Sequence, residues 1–93
     1  MKSVGYTFPV EGRFVHEYGL RSHALLVYAL LREYTVREGG CMDSTSRLAG
    51  MLCMQSHTIN SVISQLRDRG MATVEKFLDA DRHVVRIIRI TKL

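Results

Sequence analysis

The clearest pattern in the chain covers residues 56–69. Ile59, Val62, Ile63 and Leu66 recur at i, i+3, i+4 and i+7, one stripe of a helix. Ser56, His57, Thr58, Asn60, Ser61, Ser64 and Gln65 fill the positions between them. Gly70 is placed to stop the helix, because the position after a helix end favours the left-handed backbone that glycine adopts freely. A second, longer helix is predicted over residues 22–38, ended by Gly39-Gly40. Leu26, Ala29, Leu30 and Tyr34 make one stripe of it, and Leu25, Tyr28 and Leu31 widen that stripe past an ordinary amphipathic face. Such a helix needs cover on two sides, from the N-terminal arm or from another subunit.

Between these two lies a shorter helical stretch, Thr45-Ser46-Arg47-Leu48-Ala49-Gly50-Met51-Leu52, with Leu48, Met51 and Leu52 on one side. Ser44 precedes it as a cap whose hydroxyl can accept from a free amide of the first turn. A break follows at Cys53-Met54-Gln55. Beyond Gly70 the period falls to two. Residues 73–78 and 83–91 are β-branched runs joined by Asp79-Ala80-Asp81-Arg82, which predicts a hairpin. The second run is apolar on both faces, with Val85 and Ile87 on one and Val84, Ile88 and Ile90 on the other. Something besides its own core is therefore expected to cover it. At the N-terminus, Tyr6, Phe8 and Val10 alternate loosely, so residues 1–19 are expected to form an extended arm.

The order helix, short extended stretch at residues 40–42, helix, tight turn, helix, hairpin predicts a mainly α fold with a small β-hairpin. It is the order of a winged helix-turn-helix, a three-helix core plus a wing. Residues 1–93 would make a single domain, with the helix-turn-helix at 44–69 and the wing hairpin at 72–92. Residues 24–73 resemble the winged-helix domains of plasmid and phage replication proteins and of small regulators related to the MarR and GntR groups. The resemblance is carried by Gly39-Gly40-Cys41, Ser44-x-x-x-Leu48-Ala49, Thr58-Ile59-x-x-x-Ile63-x-x-Leu66 and Gly70-Met71. It departs at Cys53, where such turns often have glycine, and in a third helix poor in Arg and Lys. It implies a DNA-binding protein of transcription regulation, or of plasmid or phage replication or partition.

Charge points the same way. Residues 1–43 carry five basic and five acidic side chains, whereas residues 44–93 carry eight and four, so the whole net charge of +4 comes from the C-terminal half. A basic half beside a neutral one suggests a face for a polyanion. The expected partner is double-stranded DNA, with residues 56–69 in the major groove. Gln55 and Asn60 can pair bidentately with adenine, while Ser56, His57, Thr58, Ser61 and Gln65 offer further polar contacts to bases or phosphates. Ser44, Thr45 and Arg47 are expected on the DNA backbone beside the groove, and Lys76 and Arg82, with Arg86 as a third candidate, on the backbone from the wing. A homodimer through the first helix, the N-terminal arm or the wing would place two such helices about one DNA turn apart. A protein-docking winged helix without a DNA role is the alternative, suggested by the over-apolar first helix and the two-sided hairpin.

Other function classes find little footing. No paired catalytic carboxylates, glycine-rich phosphate loop or nucleophile motif occurs, so neither an enzyme nor a cofactor is expected. Cys41, Cys53 and His57 lack the paired short spacings of a zinc site, and each cysteine reads as a small apolar residue. Two cysteines make no disulfide framework, and no apolar run is long enough to span a bilayer or serve as a signal peptide. These features predict a cytoplasmic protein without a membrane partner.

Overall fold

The computed structural model describes residues 10–16, 18–20 and 22–93. Among these residues there are four helices and a two-stranded antiparallel hairpin: α1 (Gly12–His16), α2 (Ser22–Glu38), α3 (Thr45–Leu52), α4 (Ser56–Asp68), β1 (Ala72–Leu78) and β2 (Val84–Ile90). No helix among them is long and apolar enough to cross a membrane.

At the centre lies α2. Five consecutive residues, Val27, Tyr28, Ala29, Leu30 and Leu31, are buried, which spans more than one full turn and so every direction around the axis. The remaining elements surround this helix. α4 presents Ile59, Val62, Ile63 and Leu66 to the core, and β2 presents Ile88 and Ile90. The remaining side is closed by the segment before α2, where the extended arm expected over residues 1–19 is corrected. Residues 12–16 form a helical turn, and Phe14, Tyr18 and Leu20 are all buried. Five residues are too few to show a period, so their helical state was not visible in the pattern. Tyr6 and Phe8 of the expected arm lie outside the described residues.

The cover is aromatic. Phe14 meets the Tyr28 ring edge-on with centroids 4.9 Å apart, and Tyr18 meets it edge-on at 5.8 Å. Such pairs contribute about 0.5–1.5 kcal/mol beyond the area they bury. Arg13 and Arg32 lie over the Phe14 ring and Lys92 over Tyr18, closing the outer side with cations. Tyr28 donates to the Lys92 carbonyl, and burial pushes its phenol above the ordinary tyrosine range, with a smaller push from Tyr18. The apolar excess of α2, one reason to expect a second subunit, is thus largely met within the chain.

The hairpin is anchored at its base. In its register Ala72 pairs with Ile90 and Leu78 with Val84. The expected strand at residues 40–42 narrows to a bridge, in which Cys41 and Ile88 exchange two hydrogen bonds of 2.8 and 2.9 Å. A Cβ on Gly40 would stand 2.9 Å from Ile87 Cγ1, so this close approach of backbone to β2 requires glycine. Cys41 is buried, and desolvation pushes its thiol up to about 11.

α3 and α4 are each followed by a left-handed residue. Gly70 (φ 72°) completes a Schellman motif after α4: its amide donates to Arg67, and that of Met71 to Leu66. After α3 the same role falls to Cys53, at φ 54° and ψ 44°, with the Met54 amide donating to Ala49 at 2.9 Å. A side chain in that conformation costs roughly 1–2 kcal/mol.

Two stability tests follow from this packing. Phe14→Ala removes the buried ring over Tyr28 and should cost about 3–5 kcal/mol in denaturant unfolding; a loss below 1 kcal/mol would mean that the N-terminal segment does not close the core. Cys53→Gly relieves the left-handed strain but adds chain entropy to the unfolded state. It should raise stability by about 0.5–1 kcal/mol in the same assay, and a decrease would contradict the turn geometry.

Candidate nucleic-acid interface

The turn at Cys53 sets α4 across α3 so that its apolar stripe faces inward. Its opposite face carries no carboxylate until Asp68. Ser56, His57, Asn60, Ser61, Ser64 and Gln65 are exposed there, and Thr58 is half-buried. Gln55 occupies the cap position without a side-chain cap bond, so its exposed carboxamide is free of that role. Sequence reasoning left out Ser64, although its position among the polar residues of the helix pointed to it.

The expected site residues divide among three places. His57, Thr58, Ser61 and Gln65 line an open cleft of about 320 Å³ against Ser22, His23 and Ala24, at the N-terminal end of α2. His23 was not anticipated; only its place at a helix start could have suggested it. Asn60, on the other flank, faces α3. Thr45 donates to Asn60 Oδ1 at 2.9 Å and accepts from Arg86 Nη2 at 3.0 Å, so one hydroxyl ties α3, α4 and β2 together. Ser44 caps α3 by accepting from the Arg47 amide at 3.2 Å. Lys76 and Arg82 make up the third place, on the hairpin.

The cations differ in how free they are. Arg13 and Arg32 pair with Glu11, Arg37 with Glu33, Arg67 with Asp68 and Arg89 with Glu75. Arg47, expected on the DNA backbone, lies 3.2 Å from Asp43, whose charge and hydrogen bond hold its guanidinium above the usual arginine range. Tyr34 also donates to that carboxylate. Arg69 donates to the Tyr18 carbonyl, and Lys92 lies over the Tyr18 ring. Among the described residues, the cations left without a carboxylate or these Tyr18 contacts are Lys76, Arg82 and Arg86, and all three are on the hairpin.

These three are not equivalent. Lys76 and Arg86 stand directly opposite in the register, on the face that continues from Val74 and Ile88. Like charges so placed repel, by roughly 0.2–1 kcal/mol. Arg82 lies in the turn at φ 62°, directly after Asp81, and its amide donates to the Asp79 carbonyl at 3.0 Å. Asp79 Oδ1 accepts from the amides of Asp81 and His83, both at 2.9 Å, which accounts for a carboxylate there as a turn former. Lys76 and Arg86 thus place two cations without carboxylate partners side by side before the hairpin tip.

Cys41 is buried at the bridge and Cys53 is exposed in the turn. Among the described residues the group of three close donors is Asp79, Asp81 and His83, all exposed and within 4.8 Å of one another. No protein-family model and no curated protein sequence matches this chain.

Heparin chromatography separates free cations from paired ones. Lys76→Ala and Arg86→Ala should elute at clearly lower salt than the parent, while Arg37→Ala, whose charge Glu33 holds, should shift less. Equal shifts for all three would deny the hairpin a special role.

Proposed function

We propose that the chain is a winged helix-turn-helix that binds double-stranded DNA, with α4 in the major groove and the hairpin as a wing on the backbone. The observation that carries this reading is a coincidence of two surfaces. The polar face of α4 has no carboxylate before Asp68, and among the described residues the cations with neither a carboxylate partner nor a Tyr18 contact stand on the neighbouring hairpin. A polyanion meets no repulsion along the first face and finds uncompensated charge on the second. The element order supports the fold part of the reading: α2, a bridge at Cys41, α3, a three-residue turn, α4, then β1 and β2. His57, Asn60, Ser61 and Gln65 are the base-facing candidates, with Gln55, Ser56 and Thr58 at the helix start. Lys76 and Arg86 hold phosphates, and Arg82 contributes less because it follows Asp79 and Asp81 in the turn.

Binding rather than catalysis is the chemistry of this surface, and the cytoplasm is its proposed location. The role is that of a small transcription regulator or of a plasmid or phage replication or partition factor, the roles implied by the resemblance of residues 24–73. A homodimer is part of the reading. Since α2 is covered by its own chain, the place proposed for dimer contact is the hairpin end, where Phe77, Leu78 and Val84 are 46%, 64% and 68% exposed. The same residues favour the second reading, a winged helix that docks on another protein.

Fluorescence anisotropy with a random-sequence duplex and a duplex from upstream of the chain's own gene, at two salt concentrations, distinguishes the readings. DNA binding predicts tighter binding to one duplex and a salt slope that flattens by about one unit in Lys76→Ala, with a smaller change in Arg82→Ala. His57→Ala should cost about 1–3 kcal/mol on the preferred duplex and little on the other. No binding to either duplex at low salt would leave the docking reading in its place.

A further inference from the structure

The two flanks of α4 differ in what the chain itself does with them. On the α3 side, Asn60 is tied through Thr45 to Arg86. On the other side, His57, Thr58, Ser61 and Gln65 line the cleft of about 320 Å³ together with Ser22 and His23 from the start of α2. None of these six side chains has a hydrogen-bond partner among the described residues. His23 and His57, both exposed, are the two titratable groups among the lining residues, and no carboxylate lines the cleft. Along α2 the next charged side chains after His23 are Arg32 and Glu33, and along α4 those after His57 are Arg67 and Asp68. Neither helix therefore brings a carboxylate within two turns of its histidine.

An α-helix with its side chains is about 10–12 Å across and the major groove about 12 Å wide, so a helix lying in the groove has a phosphate strand along each flank. In the DNA-binding reading above, on which the inference rests, the wing takes one strand with Lys76 and Arg86. The cleft lies toward the other. We propose that the cleft between α2 and α4 seats a phosphate of this second strand, and that His23, cationic only when protonated, tightens the hold on DNA as pH falls. The hydroxyls of Ser22, Thr58 and Ser61 can donate to phosphate oxygens at any pH. Imidazole is the side chain whose charge changes between about pH 5 and pH 8, and its protonated form adds both a charge and a second N–H donor. With no carboxylate lining the cleft, that charge is left to the phosphate. Bound phosphate favours the protonated imidazole, so the extra affinity is present on the acid side of the imidazole range and is lost as pH rises through it. His57 stands across the same cleft, where its proton adds to the charge and its neutral form keeps the base-facing role.

Anisotropy titrations of the intact chain with a random-sequence duplex, at about pH 5.5 and about pH 8 and over a range of salt, test this. At the lower pH the wild type should bind about two- to fivefold tighter than His23→Gln, with a salt slope steeper by about one unit. At the higher pH the two should match. His23→Lys, charged at both pH values, should keep the tighter binding and the steeper slope at both. A histidine that only shaped the start of α2 would not be replaced by lysine in this way. Equal binding by His23→Gln and the wild type at both pH values, or a loss of the same size at both, would overturn the inference while leaving DNA binding intact. No binding to any duplex at low salt, at either pH, would overturn the DNA reading and this inference with it. Inorganic phosphate alone, added to the free chain at the lower pH and followed by NMR, checks the source of the anion. The His23 and Ser61 signals should move with duplex and stay in place with millimolar phosphate; saturation by phosphate alone would make the cleft a small-anion site and overturn its assignment to the DNA strand.

Discussion

The rest of the molecule is arranged by the need to bury the middle of α2, Val27–Leu31, on every side. A helix with five consecutive buried residues cannot lie at a surface, and each fully buried large side chain contributes about 1.5–3 kcal/mol when water is excluded from it. α4, β2 and the segment holding Phe14, Tyr18 and Leu20 each take one side of it. Because α4 gives its whole apolar stripe to this task, its polar face has nowhere to point but outward. Because β2 gives Ile88 and Ile90, only the far half of the hairpin, with Lys76 and Arg86, extends past the core. The exposed polar helix and the cationic hairpin are thus two results of one packing problem.

The joints around α2 are short and backbone-made. The Cys41–Ile88 bridge, the Schellman turn at Gly70 and the left-handed Cys53 turn fix three changes of direction within a few residues each. Side-chain hydrogen bonds then set finer relations. Thr35 receives the Ile90 amide at 3.0 Å and ties the end of β2 to α2, while Thr45 joins α3, α4 and β2. The second of these lies on the proposed recognition surface, where the same threonine holds three elements together.

Much of the helical framework was legible because periodicity is strong wherever one face is buried. The i, i+3, i+4, i+7 run of α4 and its polar remainder marked both the core stripe and the candidate face. The Ser44 cap and the stop at Gly70 were readable from local chemistry. The short helix at Gly12–His16 was not, since a single turn has no period and Phe14, Tyr18 and Leu20 find their partners only in three dimensions. Sequence could say that α2 needed cover on two sides but not that its own chain supplied most of it. Charge was legible as a sum and illegible as a distribution: Arg47 looked equal to Lys76 until Asp43 was placed beside it. The Thr45 contacts depend on residues 15 and 41 positions away, which no local pattern records.

The outer face of α4 and the Lys76–Arg86 part of the hairpin are proposed to form one DNA-binding surface. Titrating the isotope-labelled chain with a short random-sequence duplex while following backbone and side-chain NMR signals tests it most directly. A DNA-binding surface there predicts shifts at His57, Asn60, Ser61, Gln65, Lys76 and Arg86, fading as salt rises, with Val36 and Arg37 at the far end of α2 unmoved. Shifts absent at low salt, or gathered on α2 while α4 stays silent, would contradict it.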